Sequence, residues 1–234
     1  MPASIIIILL TPFFLLAIGV GCWLLRRATS NRILIPEDFA LAAAWVFFVG
    51  ALVWLSVYLS DSTLLGFTAP WTWLAAAHFG FAGFGGLTIT ALTCRVVSKP
   101  LALRILRFLL AAHPIAYLVT AAGISGYRYC DELGATAYSL IFLTQFAAVV
   151  FGRPDRMPTG PIALLILALA VPAFTMIPAM TWAWGRPMFD INDMVKYHGL
   201  VNAIGHVGFG LAAFAWGRPA SHAKHFDCSP RDQE

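Results

Sequence analysis

Seven apolar runs, each near the ~20 residues that cross a bilayer as a helix, divide this sequence almost from end to end. They cover 4–25, 38–60, 69–93, 102–123, 133–152, 160–183 and 191–217. Their periodicity and length predict an all-α polytopic bundle of seven transmembrane helices over 1–220, followed by a polar tail over 221–234. Composition agrees: 60% of residues are hydrophobic and 11% charged, where a soluble domain carries about 25% charged residues. One bundle uses up the length and leaves no room for a soluble domain. The net charge of +4 is spread over loops. No basic stripe interleaved with aromatics points to a nucleic-acid partner.

Charge also orients the bundle. With the N-terminus outside, twelve Lys and Arg, from Arg26 and Arg27 through Arg32, Arg95, Arg107 and Arg153 to Lys224 and Arg231, fall on the cytoplasmic side. Only Arg128, Arg186 and Lys196 fall outside. That bias follows the positive-inside rule and requires an odd number of spans, which places the C-terminus in the cytoplasm and the protein in the cell membrane. The first run lacks a basic segment before it and is read as a retained span rather than a signal peptide. Pro36, Glu37 and Asp38 form a good helix start, with acids at the positive end of the dipole. Four cysteines without a plausible pair, and without a CxxC, support neither a disulfide framework nor a thiolate metal site.

Polar residues inside the spans are few, and ionisable ones there are costly unless they face a cavity, a partner or a proton path. In the last span, His198, Asn202 and His206 fall at i, i+4 and i+8 on one slowly drifting stripe. The third span carries His78 and small residues at Ala76/Gly80 and Ala82/Gly86 that permit close helix approach. The fourth has His113 and Tyr117 on one face beside Pro114, where His113 can serve the backbone freed by the kink. Gln145 stands alone in the fifth and is expected to make an interhelical hydrogen bond. The sixth, with Pro172 and Pro178, reads as a kinked wall. His222 and His225 lie in the tail and are set aside.

Helix arithmetic puts Asp61, His78, Tyr117, Glu132, Asp193, Tyr197 and His198 in the outer half. Asn202 and His113 lie near the midplane, and His206 is deeper. This layout predicts one polar pocket open to the outer leaflet and roofed by acids.

Two segments resemble a family. His198-Gly199-Leu200-Val201-Asn202-Ala203-Ile204-Gly205 is similar to the HG-x-x-NA-x-G signature of the YndJ-like membrane proteins, and His78-Phe79-Gly80-Phe81-Ala82-Gly83-Phe84 resembles their HF-x-x-AGF segment. The resemblance marks His78, His198 and Asn202 as matching positions. The chain departs from the pattern at His206, where an aromatic is more usual, and in being short. The family is commonly labelled a transporter, so the resemblance implies a fold more than a mechanism.

The chemistry these residues suit best is cofactor-free acid/base catalysis on a lipophilic, terpenoid or polyketide-like molecule: cyclisation, isomerisation or epoxide opening in a water-excluding mould. Glu132, Asp193 or Asp61 would donate the proton and His198 or His78 accept it. Asn202 and Tyr117 would orient the substrate, with His113, Tyr197 and His206 also lining its site. A proton-coupled transporter or a binding protein for a small solute is the alternative. An intramembrane zinc hydrolase or a haem protein ranks below both, because the i+4 partner of His198 is Asn202, a poor zinc ligand.

Overall fold

The computed structural model describes residues 1–30 and 35–220. Arg32 and the polar tail, with Lys224, Arg231, His222 and His225, lie outside them. Among the described residues there are seven long apolar helices, compatible with a multi-pass membrane bundle: α1 (Ala3–Ser30), α2 (Pro36–Leu59), α3 (Trp71–Thr93), α4 (Pro100–Ile124), α5 (Cys130–Phe151), α6 (Thr159–Ala183) and α7 (Ile191–Gly217).

The ends follow local chemistry. Pro36 and Pro100 open α2 and α4 at their first positions, where the missing N–H removes no helical bond. The Asp190 carboxylate caps α7, accepting from the backbone N–H of Asn192 at 2.8 Å and of Asp193 at 3.0 Å. The main difference from the expected bounds is at α1, which runs five residues past 25 and carries Arg26 and Arg27 in its final turns.

Helices α3, α4, α5, α6 and α7 form a closed ring, each packed on the next and α7 returning to α3. Helix α2 covers the seam between α3 and α4, and α1 packs on α2. Side chains fill the ring, among them Leu87, Ile89, Leu106, Leu165, Leu169 and Val207. The outward faces of α1, with Ile7, Ile8 and Leu15, stay exposed, as expected of a helix that meets lipid.

Two of the seven are not plain α-helices. α3 changes to i→i+5 hydrogen bonding over Phe79–Gly86, and α7 does so over Met194–Leu200 and again over Asn202–Gly208. The π stretch of α3 packs on the second π stretch of α7. Glycines set the approach: a Cβ on Gly83 would meet Phe47 of α2 at 2.8 Å, and one on Gly85 would meet Val207 of α7 at 2.6 Å. The tight positions are therefore Gly83, Gly85 and Gly86, whereas a Cβ on Gly80, one of the small residues singled out by spacing, would make only ordinary contact at 3.8 Å.

A charged cluster closes one end of the bundle. Asp38 is fully buried, accepts a hydrogen bond from Arg95 Nη2 at 3.1 Å, and pairs with Arg27 Nε at 3.2 Å. Glu37 beside it accepts from Arg107 Nε at 2.9 Å. These two acids do more than offset a helix dipole: they tie α2 to α1, to the turn that follows α3 and to α4.

Candidate functional site around the histidines of α3 and α7

The stripe on α7 exists, and it docks on α6. His198 Nδ1–H donates to the Thr175 carbonyl at 2.7 Å. The Thr175 hydroxyl donates to Asn202 Oδ1 at 2.8 Å, and Asn202 Nδ2 returns to the His198 carbonyl at 2.8 Å. One helical level further, His206 Nδ1–H donates to the Ala168 carbonyl at 3.1 Å. A proline of α6 explains why the Ala168 carbonyl takes a partner. A proline inside a helix leaves the carbonyl four residues earlier without its N–H, and Pro172 does this to Ala168. Pro178 does it to Phe174, next to Thr175. The kinked wall is thus also the acceptor surface for the α7 stripe.

His78 stands at the point where α3 becomes π-helical, with Nδ1 on the Leu74 carbonyl at 3.2 Å. His78 is exposed, His198 is half-buried, and the helices that carry them pack together through the π stretch of α3 and the second π stretch of α7. Both imidazoles hold a backbone carbonyl through Nδ1–H, so each keeps a lone pair on Nε2. Each of those nitrogens is a candidate base or ligand on one of the two helices that carry the π stretches, a distortion often found at functional sites.

His113 is different. It is fully buried, and its Nε2–H donates to the Ala82 carbonyl in the π stretch of α3 at 2.9 Å. It serves backbone freed by a helix irregularity, as expected, but that backbone belongs to α3 rather than to the kink at Pro114. A Cβ on Gly86 would sit 3.0 Å from the His113 ring, so glycine there makes room for the imidazole. Gln145 makes its interhelical bond, from Nε2 to Thr93 Oγ1 at 3.0 Å. Thr90 lies between them, 3.4 Å from His113 Nδ1 and 3.5 Å from Gln145 Oε1.

The remaining candidates are more dispersed. Asp61 is exposed in a turn with positive φ after α2. Asp193 pairs with Lys196 at 3.1 Å on the outside of the α7 start. Glu132 is half-buried in the first turn of α5, with its carbonyl taking the Thr136 hydroxyl. Tyr117 is packed edge-on between Phe47 and Phe79, with centroids 4.7 and 5.0 Å away. Tyr197 is half-exposed and leans on Phe189. Two grooves lie elsewhere on the bundle. One of about 260 Å³ between α5 and α6 is lined by Leu143, Pro172, Met176 and Met180. Another of about 190 Å³ lies between α1 and α2. Among the described residues, no three His, Cys, Asp or Glu converge to hold a metal ion.

Several residues of this core are not singled out by sequence spacing. Thr175 lies three residues from each proline of α6. Thr90 and Thr93 are an i, i+3 hydroxyl pair below a glycine-rich run. Tyr138 and Phe142 lie on the face of Gln145, seven and three residues before it. Those spacings are readable once the partner helix is known, and none names that partner.

Searches for similar sequences give one positive result. Among curated proteins and among solved structures nothing matches. The family model described as YndJ-like protein matches residues 1–206, most of the chain, including both histidine segments and all of the ring up to His206. The chain therefore belongs to the YndJ-like family.

Proposed function

We propose that this is an integral enzyme of the cell membrane, N-terminus outside, that carries out cofactor-free proton transfer on a lipophilic terpenoid or polyketide-like molecule. The reaction class is cyclisation, isomerisation or epoxide opening. One observation supports it above the others: His78 and His198, on two helices that pack together through π stretches, are each fixed through Nδ1 with the Nε2 lone pair left free. One imidazole takes a proton from the substrate and the other, in its protonated form, gives one back. Groups so placed contribute about 10²–10⁴-fold each. Asn202 and Thr175 act as positioning residues by locking the His198 ring. Glu132, Asp193 and Asp61 are the proton sources that recharge this pair, and Asp193, on the same helix as His198, is the first of them to test. The charged cluster of Asp38, Arg27 and Arg95, at the end assigned to the cytoplasm, accords with the orientation drawn from loop charge.

The test is His78→Ala and His198→Ala in the native host with profiling of lipophilic metabolites. Accumulation of an uncyclised or epoxidised precursor in both variants is the expected result. An unchanged metabolite pool, with both variants present in the membrane at normal levels, rejects the proposal.

A second reading, a proton-coupled transporter, draws on a different observation. Thr90, His113, Gln145 and Thr93 place polar atoms through the middle of the ring, and Arg95 and Asp38 continue them to one end. Purified protein in liposomes loaded with a pH-sensitive dye separates the two: proton flux that falls in Gln145→Leu favours transport, and its absence favours the enzyme.

A further inference from the structure

Two polar atoms in the centre of the ring have no partner. His206 is 3% exposed and its Nε2 makes no hydrogen bond. Tyr138 is 6% exposed and its hydroxyl makes none either. Both rings pack against the same side chain, Phe142 of α5: His206 edge-on with centroids 5.2 Å apart, Tyr138 stacked at 5.6 Å. Tyr138 also meets His113 edge-on at 5.1 Å. Buried polar groups without partners are rare in folded proteins, because each forfeits its solvation for nothing in return. Both atoms belong to rings that pack on one phenyl side chain.

The chemistry of the pair is complementary. His206 uses Nδ1–H on the Ala168 carbonyl, so its Nε2 can only accept. The Tyr138 hydroxyl can donate. A molecule that accepts from a phenol and donates to an imidazole satisfies both, and the smallest is water, which typically makes 2–4 hydrogen bonds when buried. We propose that the core between α5 and α7 contains a buried water site, in which Tyr138 O–H donates to the water and the water donates to His206 Nε2. The site is independent of His78 and His198 and stands whether or not those residues catalyse.

It explains why histidine and tyrosine occupy these positions in an otherwise apolar core. It also makes His206 a hydrated imidazole in the bundle interior, joined to α5 through solvent instead of direct contact. Other polar groups facing this space from neighbouring helices are His113 of α4 and, beyond it, Thr90 of α3 and Gln145 of α5.

The experiment is water-edited magic-angle-spinning NMR of the full chain, labelled with ¹⁵N-histidine, in liposomes, with the His206 signals assigned by their loss in His206→Gln. The expected wild-type result is an Nδ1–H tautomer whose Nε2 shows hydrogen-bonded acceptor character and a cross-peak from water. In Tyr138→Phe that cross-peak falls at least several-fold, while in Ser139→Ala, one residue away on a different face, it persists. A wild-type His206 with no transfer from water overturns the proposal, as does a cross-peak untouched by Tyr138→Phe. If Tyr138→Phe fails to fold, the wild-type spectrum alone decides the matter.

Discussion

Asp38 offers the sharpest test of how this bundle is held together. Its side chain is 1% exposed and its Arg95 partner 17%, whereas Arg27, the other partner, is 43% exposed. Removing one member of a buried pair leaves the other charge desolvated and uncompensated, a loss of about 3–5 kcal/mol. Arg95 retains some access to water, so Asp38→Ala belongs at the lower limit, about 3 kcal/mol. For a chain of this size that lowers the unfolding midpoint by roughly 6–12 °C. Arg27→Ala, at a half-exposed position, loses only about 0–1 kcal/mol. The double variant Asp38→Ala with Arg95→Ala removes the stranded charge and recovers part of the loss, a coupling of about 0.5–3 kcal/mol. Thermal unfolding in one detergent of the wild type, the single variants Asp38→Ala, Arg27→Ala and Arg95→Ala, and the double variant measures all of this. If the double variant melts below Asp38→Ala by the full cost of Arg95→Ala, the two residues act independently and the reasoning fails.

Two further outcomes follow from the helix irregularities. Gly86→Ala places a methyl 3.0 Å from the His113 ring and destabilises by about 1–3 kcal/mol; in a His113→Ala background the same substitution is better tolerated, as read by unfolding in detergent. His206→Phe leaves the Ala168 carbonyl without its donor, about 1–3 kcal/mol; in a Pro172→Ala background the restored N–H takes that carbonyl, and the loss shrinks by about 1 kcal/mol.

Much of this architecture can be read from hydropathy, because lipid leaves an apolar stretch of this length little alternative to a helix. The α7 stripe was readable too: spacing at i, i+4 and i+8 does put His198, Asn202 and His206 against one neighbour. Which neighbour was not readable. Pro172 and Pro178 advertise a distorted α6, yet only packing shows that the freed acceptors face α7. His113 illustrates the same limit. Its proximity to Pro114 points to a local role, but the donor reaches across to Ala82 because the glycines of α3 open that backbone. Glu37 and Asp38 look like ordinary first-turn acids until Arg95 and Arg107, far along the chain, are seen beside them. The outer acids Asp61, Glu132 and Asp193 share a depth by arithmetic, but depth does not set azimuth around the bundle, and their settings are separate.

The π stretch of α3 has a mechanical consequence. It takes in one more residue than plain α turns would need to reach the same rotation. Deleting a single residue between 79 and 86 would let ordinary turns close with everything beyond at the same rotation, whereas deleting one from the plain α turns that follow, between 87 and 89, would swing the remainder by about 100°. Thr90 and Thr93 would then leave Gln145, and Arg95 would leave Asp38, although none of them had been altered. The extra residue in that tract gives α3 one position of slack that its plain turns lack, so a deletion there is absorbed, while the same deletion in a plain turn puts the two ends of the helix out of phase.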